Sequence, residues 1–164
     1  MQLFIMRHGE AQNFIGQGTL DDSQRALTSA GKKEAQTMAD WFEQNQISSK
    51  QVFVSPYVRA QQTCGIVTAT MQTLITTLDF ITPSGNAKQV HDYIDGVCSD
   101  SALDLAQQNL LIVSHMPLVS YLVAELTQSE NAPIFATAGI AQINYDVQTM
   151  KGELVAMISP SDFN

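Results

Sequence analysis

The chain of 164 residues holds three arginines and three histidines, and two of each lie in three short segments that share one setting. Arg7-His8-Gly9-Glu10 follows the apolar run Leu3-Phe4-Ile5-Met6. Ser55-Pro56 follows Gln51-Val52-Phe53-Val54, with Arg59 one turn further on. Ser114-His115 follows Leu110-Leu111-Ile112-Val113. A single buried His or Arg commonly serves packing. Four such groups after three apolar runs are harder to place in a core, because gathered like charges are costly unless an anion compensates. A phosphoryl group is such an anion. The guanidinium presents a planar fork of donors that matches phosphate oxygens. A phosphoryl group in transfer spreads negative charge over its equatorial oxygens, so fixed cationic donors are the main catalytic device. Histidine is a competent nucleophile at phosphorus, and cationic neighbours lower the pKa of an imidazole and keep its lone pair free. These residue types point to a phosphate pocket in which one His attacks and the other is an electrophilic partner.

The elements that must position these groups read as alternating strands and helices. Leu3–Met6, Gln51–Ser55 and Leu110–Ser114 have strand length, and the last is an unbroken apolar run of the buried, parallel kind. Ser29 to Gln44 has helical spacing at Ala35, Met38, Ala39 and Phe42, with Thr28 or Ser29 as cap. Pro56 opens a second helix with Ala60, Cys64, Val67 and Met71 on one stripe. Residues 75–98 contain Pro83, Gly85 and Gly96 and read as loop with a short helix or two. A short helix is expected over Ser101–Gln107 and another over Pro117–Thr127. Ala141, Ile143 and Tyr145 alternate with polar residues, and Glu153–Ile158 follows closely enough for an antiparallel hairpin. The pattern predicts an α/β fold: a three-layer sandwich whose mostly parallel central sheet carries an antiparallel edge hairpin. In such sheets ligands bind beyond the carboxyl ends of the strands, where the four groups fall.

Length and composition bound the remaining choices. A chain of 164 residues suits one domain, 1–164, with a sizeable core. Eight Lys plus Arg against 16 Asp plus Glu give a net charge of -8, which disfavours nucleic acid as a main partner. No run approaches the ~20 apolar residues of a membrane helix, and the N-terminal run ends at Arg7 without a basic segment before it. Cys64 and Cys98 make no disulfide framework, so a cytoplasmic protein with two free thiols is expected. His91, Asp92, Asp95 and Asp100 match no metal-ligand spacing, and no metal is expected. The acidic run from Asp92 to Asp104 reads equally as a solvated surface or as a face for a basic partner.

Arg7-His8-Gly9 resembles the opening motif of the histidine phosphatase superfamily, whose fold is called phosphoglycerate mutase-like. Ser55-Pro56-Tyr57-Val58-Arg59-Ala60-Gln61-Gln62-Thr63 is similar to its second motif, and Ser114-His115 to its third. Within the superfamily the chain resembles the SixA-type phosphohistidine phosphatases. That likeness extends to Met1–Gly9, Arg25-Ala26-Leu27-Thr28 and Leu118–Leu126. The resemblance implies that His8 is the phosphorylated nucleophile, that Arg7 and Arg59 grip the phosphoryl group, and that His115 hydrogen-bonds it. It implies no cofactor, and a phosphohistidine on a signalling or phosphocarrier protein as substrate.

The sequence departs from the superfamily pattern at two places. Many relatives have an Asn six residues after the nucleophile; here that position is Phe14, with Asn13 one earlier. Larger relatives supply a Glu as general acid between the second and third motifs. Asp79 and Glu10 are the acidic candidates here, and the acid stays unassigned. A phosphomonoester leaves as alkoxide unless protonated, whereas imidazole is the better leaving group, so the gap suits a phosphoramidate. A broad small-molecule phosphomonoesterase and a non-catalytic phosphohistidine-binding module are the competing readings.

Overall fold

The computed structural model describes residues 1–13, 21–100 and 108–163. Phe14, the helix expected over Ser101–Gln107 and Asp104 lie outside them. Six strands form one sheet in the order β3-β2-β4-β1-β5-β6. They are β1 Gln2–Arg7, β2 Ser49–Val54, β3 Leu74–Thr77, β4 Asn109–Ser114, β5 Ile140–Asp146 and β6 Lys151–Ile158. β3, β2, β4 and β1 run parallel, and β5 and β6 add the antiparallel pair at one edge.

Alternation along the strands builds two cores, as the period-2 geometry of a strand requires. Leu3, Ile5, Phe53, Leu110 and Ile112 face one side, with Ala141, Ile143 and Tyr145. They meet Val90 and Ile94 of α3 (Ala87–Cys98) and Leu118, Val119 and Leu122 of α4 (Leu118–Thr127). Phe4, Met6, Val52, Val54, Leu111 and Val113 face the other side. There they pack on Ala35, Met38 and Phe42 of α1 (Ser29–Gln44) and Ala60, Cys64 and Val67 of α2 (Val58–Val67). Each fully buried Leu, Ile or Phe side chain contributes roughly 1.5–3 kcal/mol, so these layers are the main hold on the sheet. The expected three-layer α/β sandwich is what forms. Among the described residues no helix is long and apolar enough to cross a membrane.

Residues 75–98 hold more regular structure than the loop with a short helix or two expected of them. β3 pairs with β2 at the sheet edge, and α3 runs for 12 residues. Three of the four β3 residues are exposed, so the strand carries no apolar alternation to mark it. α3 is capped by Asn86, whose side chain accepts from the Gln89 N–H at 3.0 Å, and buries Val90, His91 and Ile94. Its Gly96 has open space around it and falls in the last turn, where it does not break the helix.

One close approach holds α1 against the end of β1. A Cβ on Gly31 would stand 2.1 Å from the Glu10 carbonyl oxygen, and one on Gly9 would stand 2.6 Å from the Gly31 oxygen. Two glycines therefore let the helix start abut the turn after β1, backbone to backbone. The Thr28 Oγ1 cap accepts from the Gly31 N–H at 2.9 Å and donates to Glu10 Oε2 at 2.8 Å.

Candidate active site

Three strand ends meet where β1, β4 and β2 lie side by side. His8 follows β1 and donates its N–H to the Ser114 carbonyl at 3.0 Å; Ser55 follows β2 and donates to the Val113 carbonyl at 3.1 Å. These bonds bring Arg7, His8, Ser55 and His115 to one end of the sheet, and α2 adds Arg59 from its first turn. All four residues named from the sequence are thus brought together, with the His8 and His115 ring centroids 5.0 Å apart.

The second motif is explained by what its side chains tie. Thr63 Oγ1 accepts from the Gly9 N–H at 3.0 Å and donates to the Arg59 carbonyl at 2.8 Å. Gln62 Oε1 accepts from the Leu27 N–H at 2.8 Å, and Gln61 Nε2 donates to the Ser55 carbonyl at 2.8 Å. Ala60, the next residue of α2, is fully buried. The helix that carries Arg59 is therefore fastened to the turns after β1 and β2.

His8 is held in one tautomer. Its Nδ1 lies 2.7 Å from the Gly9 carbonyl oxygen, which can only accept, so the proton sits on Nδ1. The lone pair is left on Nε2, where Arg59 Nε–H donates to it at 3.2 Å. Burial pushes the imidazole down to about 4; the Gly9 bond opposes this, and Arg59, Arg7 and Arg25 lower it further. The arginines expected to keep the ring neutral thus act second to desolvation. His115 is pushed to about 3, first by burial and then by His8 and Arg59.

Ser55 sets the second imidazole. Its Oγ accepts from the Tyr57 N–H at 3.2 Å and lies 2.7 Å from His115 Nε2. The hydroxyl still has both a proton and a second lone pair to offer, so this bond fixes the orientation of the His115 ring. Nδ1 of His115 and Nε of Arg7 are buried and have no protein partner among the described residues. Arg7 is anchored instead through Nη1, which donates to the Phe135 carbonyl at 2.8 Å. Ser55→Ala is expected to slow turnover by about tenfold, the worth of one hydrogen bond of about 1.4 kcal/mol, and to move the His115 ring signals. Stopped-time phosphate release and side-chain 15N spectra of His115 check both effects.

The pH behaviour follows from the two depressed imidazoles. A His8 nucleophile attacks only when neutral, so in that role kcat/KM is expected to hold down to about pH 5 and to fall as pH drops through about 4. Stability has a matching sign. Histidines of the unfolded chain titrate near 6.5, so between about 6.5 and 4 the unfolded state binds more protons than the folded one. Stability therefore rises with pH across that window and is lost on acidification. Denaturant midpoints at pH 7, 5.5 and 4.5 measure the slope.

Two site residues were not evident in the sequence. Asp22, on a 3-10 turn over Asp22–Gln24, accepts from Arg59 Nη2 at 3.1 Å and from Arg25 Nε at 2.8 Å. Burial raises its carboxyl, but the bonds from Arg59 and Arg25 outweigh this and hold it below the usual value. All three arginines of the chain therefore gather here, and their scarcity was the available signal for Arg25. Of the two acid candidates, Glu10 is exposed and engaged by Thr28, and Asp79 is exposed just past the end of β3. The remaining unusual residues serve packing. His91 Nε2 lies 2.8 Å from the Tyr145 hydroxyl, and Trp41 packs edge-on to Phe4. Cys64 is buried, and its thiol is pushed up to about 11 by burial.

Comparison with known proteins places this geometry among relatives. The profile of the histidine phosphatase superfamily (branch 1) matches residues 3–82. The phosphohistidine phosphatase SixA of Escherichia coli (strain K12) is 36% identical over 148 residues, covering 89% of this chain and 86% of that protein. A phosphohistidine phosphatase SixA homolog of Haemophilus influenzae is 37% identical over 155 residues, covering 89% of each. A solved structure of the protein histidine phosphatase SixA complexed with tungstate superposes with a TM-score of 0.86 at 34% identity, covering 100% of both chains.

Proposed function

Since the chain belongs to the histidine phosphatase superfamily, with SixA phosphohistidine phosphatases as its relatives over most of its length, we propose that it removes phosphate from histidine on a protein. The carrying observation is the state of His8: proton on Nδ1, lone pair on Nε2, and a guanidinium Nε–H directed at that lone pair. A phosphoryl group entering there meets a nucleophile and a cation along one line.

In the first step His8 Nε2 forms a bond to phosphorus as the substrate's N–P bond breaks in line. The substrate ring leaves as neutral imidazole when its far nitrogen carries a proton, which an open surface lets it take from water. Arg59, Arg7 and His115 hold the three equatorial oxygens. Because the Gly9 carbonyl keeps the His8 Nδ1 protonated, the phosphorylated ring is a cation. Water then attacks phosphorus, the N–P bond breaks, and His8 returns as neutral imidazole with its lone pair on Nε2. The proton lost by water leaves on inorganic phosphate. Neither step produces an alkoxide, so neither depends on the acid left unassigned.

The substrate class is tested by direct comparison. The protein is incubated with 32P-labelled phosphohistidine proteins of phosphorelay and phosphocarrier type, and separately with sugar phosphates. Loss of label from phosphohistidine well ahead of ester hydrolysis is expected. Faster ester hydrolysis overturns the substrate, and phosphoprotein binding without phosphate release overturns catalysis.

A further inference from the structure

The Asp22 carboxylate reaches Arg59 although the turn that carries it needs no such contact. The turn has its own cap, since Asp21 Oδ1 accepts from the Ser23 N–H at 3.2 Å. Asp22 instead spends its acceptors on two arginines. Its main-chain oxygen accepts from Arg59 Nη1 at 2.8 Å and its Oδ2 from Arg59 Nη2 at 3.1 Å. Its Oδ1 accepts from Arg25 Nε at 2.8 Å, and Arg25 Nη1 continues to the Gln12 carbonyl at 3.1 Å. The Asp22 side chain is 52% exposed against 4% for Arg59. A half-exposed carboxylate adds little to stability as an ion pair, so its contribution to folding does not explain the arrangement. A carboxylate beside a phosphoryl pocket also repels the substrate, and that repulsion requires an offsetting role.

We propose that Asp22 is a positioning residue for Arg59, with Arg25 as the cation that keeps the carboxylate turned. A guanidinium is planar, so pinning both Nη nitrogens fixes the direction of the remaining Nε–H. That direction is the Nε2 of His8, at 3.2 Å. Asp22 thereby aims Arg59 at the nucleophile, and at the phosphoryl oxygen that displaces the contact. The negative charge weakens anion binding while the geometry favours the transition state. The effects on affinity and on turnover consequently have opposite signs.

The proposal rests on the phosphoryl transfer argued above, and one of its readouts does not. In Asp22→Asn, kcat on a phosphohistidine protein is expected to fall by about 10–100-fold, the scale of a misplaced catalytic group. The inhibition constant for inorganic phosphate should tighten. The 15N signal of His8 Nε2 should shift as the Arg59 bond is lost. Asp21→Ala, which removes the turn's cap, should lower Tm and leave kcat and the His8 signal in place. The proposal is overturned if Asp22→Asn keeps kcat within about threefold and leaves the His8 signal unmoved, if it raises KM alone, or if Asp21→Ala lowers kcat as much. If the wild-type protein releases no phosphate from any phosphoramidate, the functional reading fails, and the His8 signal of the Asp22→Asn protein still decides the role of Asp22.

Discussion

Replacing His8 with Ala is expected to lower turnover by about 10⁵–10⁶-fold, the scale on which removing a nucleophile acts in covalent enzymes. The size follows from what the side chain alone supplies. In the proposed mechanism its Nε2 lone pair becomes bonded to phosphorus, and no other described group presents an unprotonated nitrogen to Arg59. Water attacking directly from the pocket would face the same cationic donors but would need a base, and the one imidazole left, His115, is too acidic as a cation to serve well. The His8→Ala protein should also take up no acid-labile, base-stable 32P label on rapid quenching. Its fold should survive, because the His8 backbone bonds to Ser114 and Ala138 do not involve the ring. Full activity in this variant, with the protein folded by circular dichroism, would end the assignment.

Arg59→Ala carries the second largest expected loss, about 10³-fold in kcat/KM, the order found when a guanidinium that stabilises phosphoryl charge is removed. Three consequences coincide. The Nε–H on His8 disappears, the Asp22 carboxylate loses one of its two partners, and the stacking of the guanidinium 5.0 Å from the Tyr57 ring is lost. The carboxylate then faces the incoming phosphate with Arg25 alone to offset it. Arg59→Lys keeps a charge but has no planar fork, so it is expected to recover only a small part of the loss. Steady-state kinetics on a phosphohistidine protein, with both variants compared at equal folded concentration, measure this. Recovery of most of the rate by Lys would show that charge suffices and orientation does not matter.

The parts of the site that could be read from the chain are those carried by a strand end. His8, Ser55 and His115 each follow an apolar run that is wholly or nearly buried, and a parallel sheet has to bring such ends together. The two cores follow from the same runs, since alternate residues of Leu3–Met6 and Leu110–Val113 face opposite layers. Asp22 was silent because its partner lies 37 positions away and its own turn is a short 3-10 segment without periodicity. Ser55 was legible as part of a motif, but its bond to His115 spans 60 positions and appears only in three dimensions. Val90 and Ile94 of α3 carry a helical stripe, yet the acidic residues and Gly96 around them resemble a loop in composition. β3 is the hardest case, because an exposed four-residue edge strand has almost no burial to impose a pattern.

The place of β4 in the sheet has a consequence for biosynthesis. β2 and β1 are not neighbours; β4 lies between them and hydrogen-bonds to both. A nascent chain that has emerged only as far as α3 already contains His8 and Arg59 but lacks the strand that sets their spacing. It can pair β2 with β3, but β1 and β2 have no strand between them, and long-range parallel pairing is slow to form. The nucleophile and its cation therefore acquire a common frame only when residues 109–114 leave the ribosome and insert between two strands made much earlier. Competence for chemistry arrives in one late event, so a polypeptide whose synthesis stops short of β4 is expected to be inert however much of the second motif it carries.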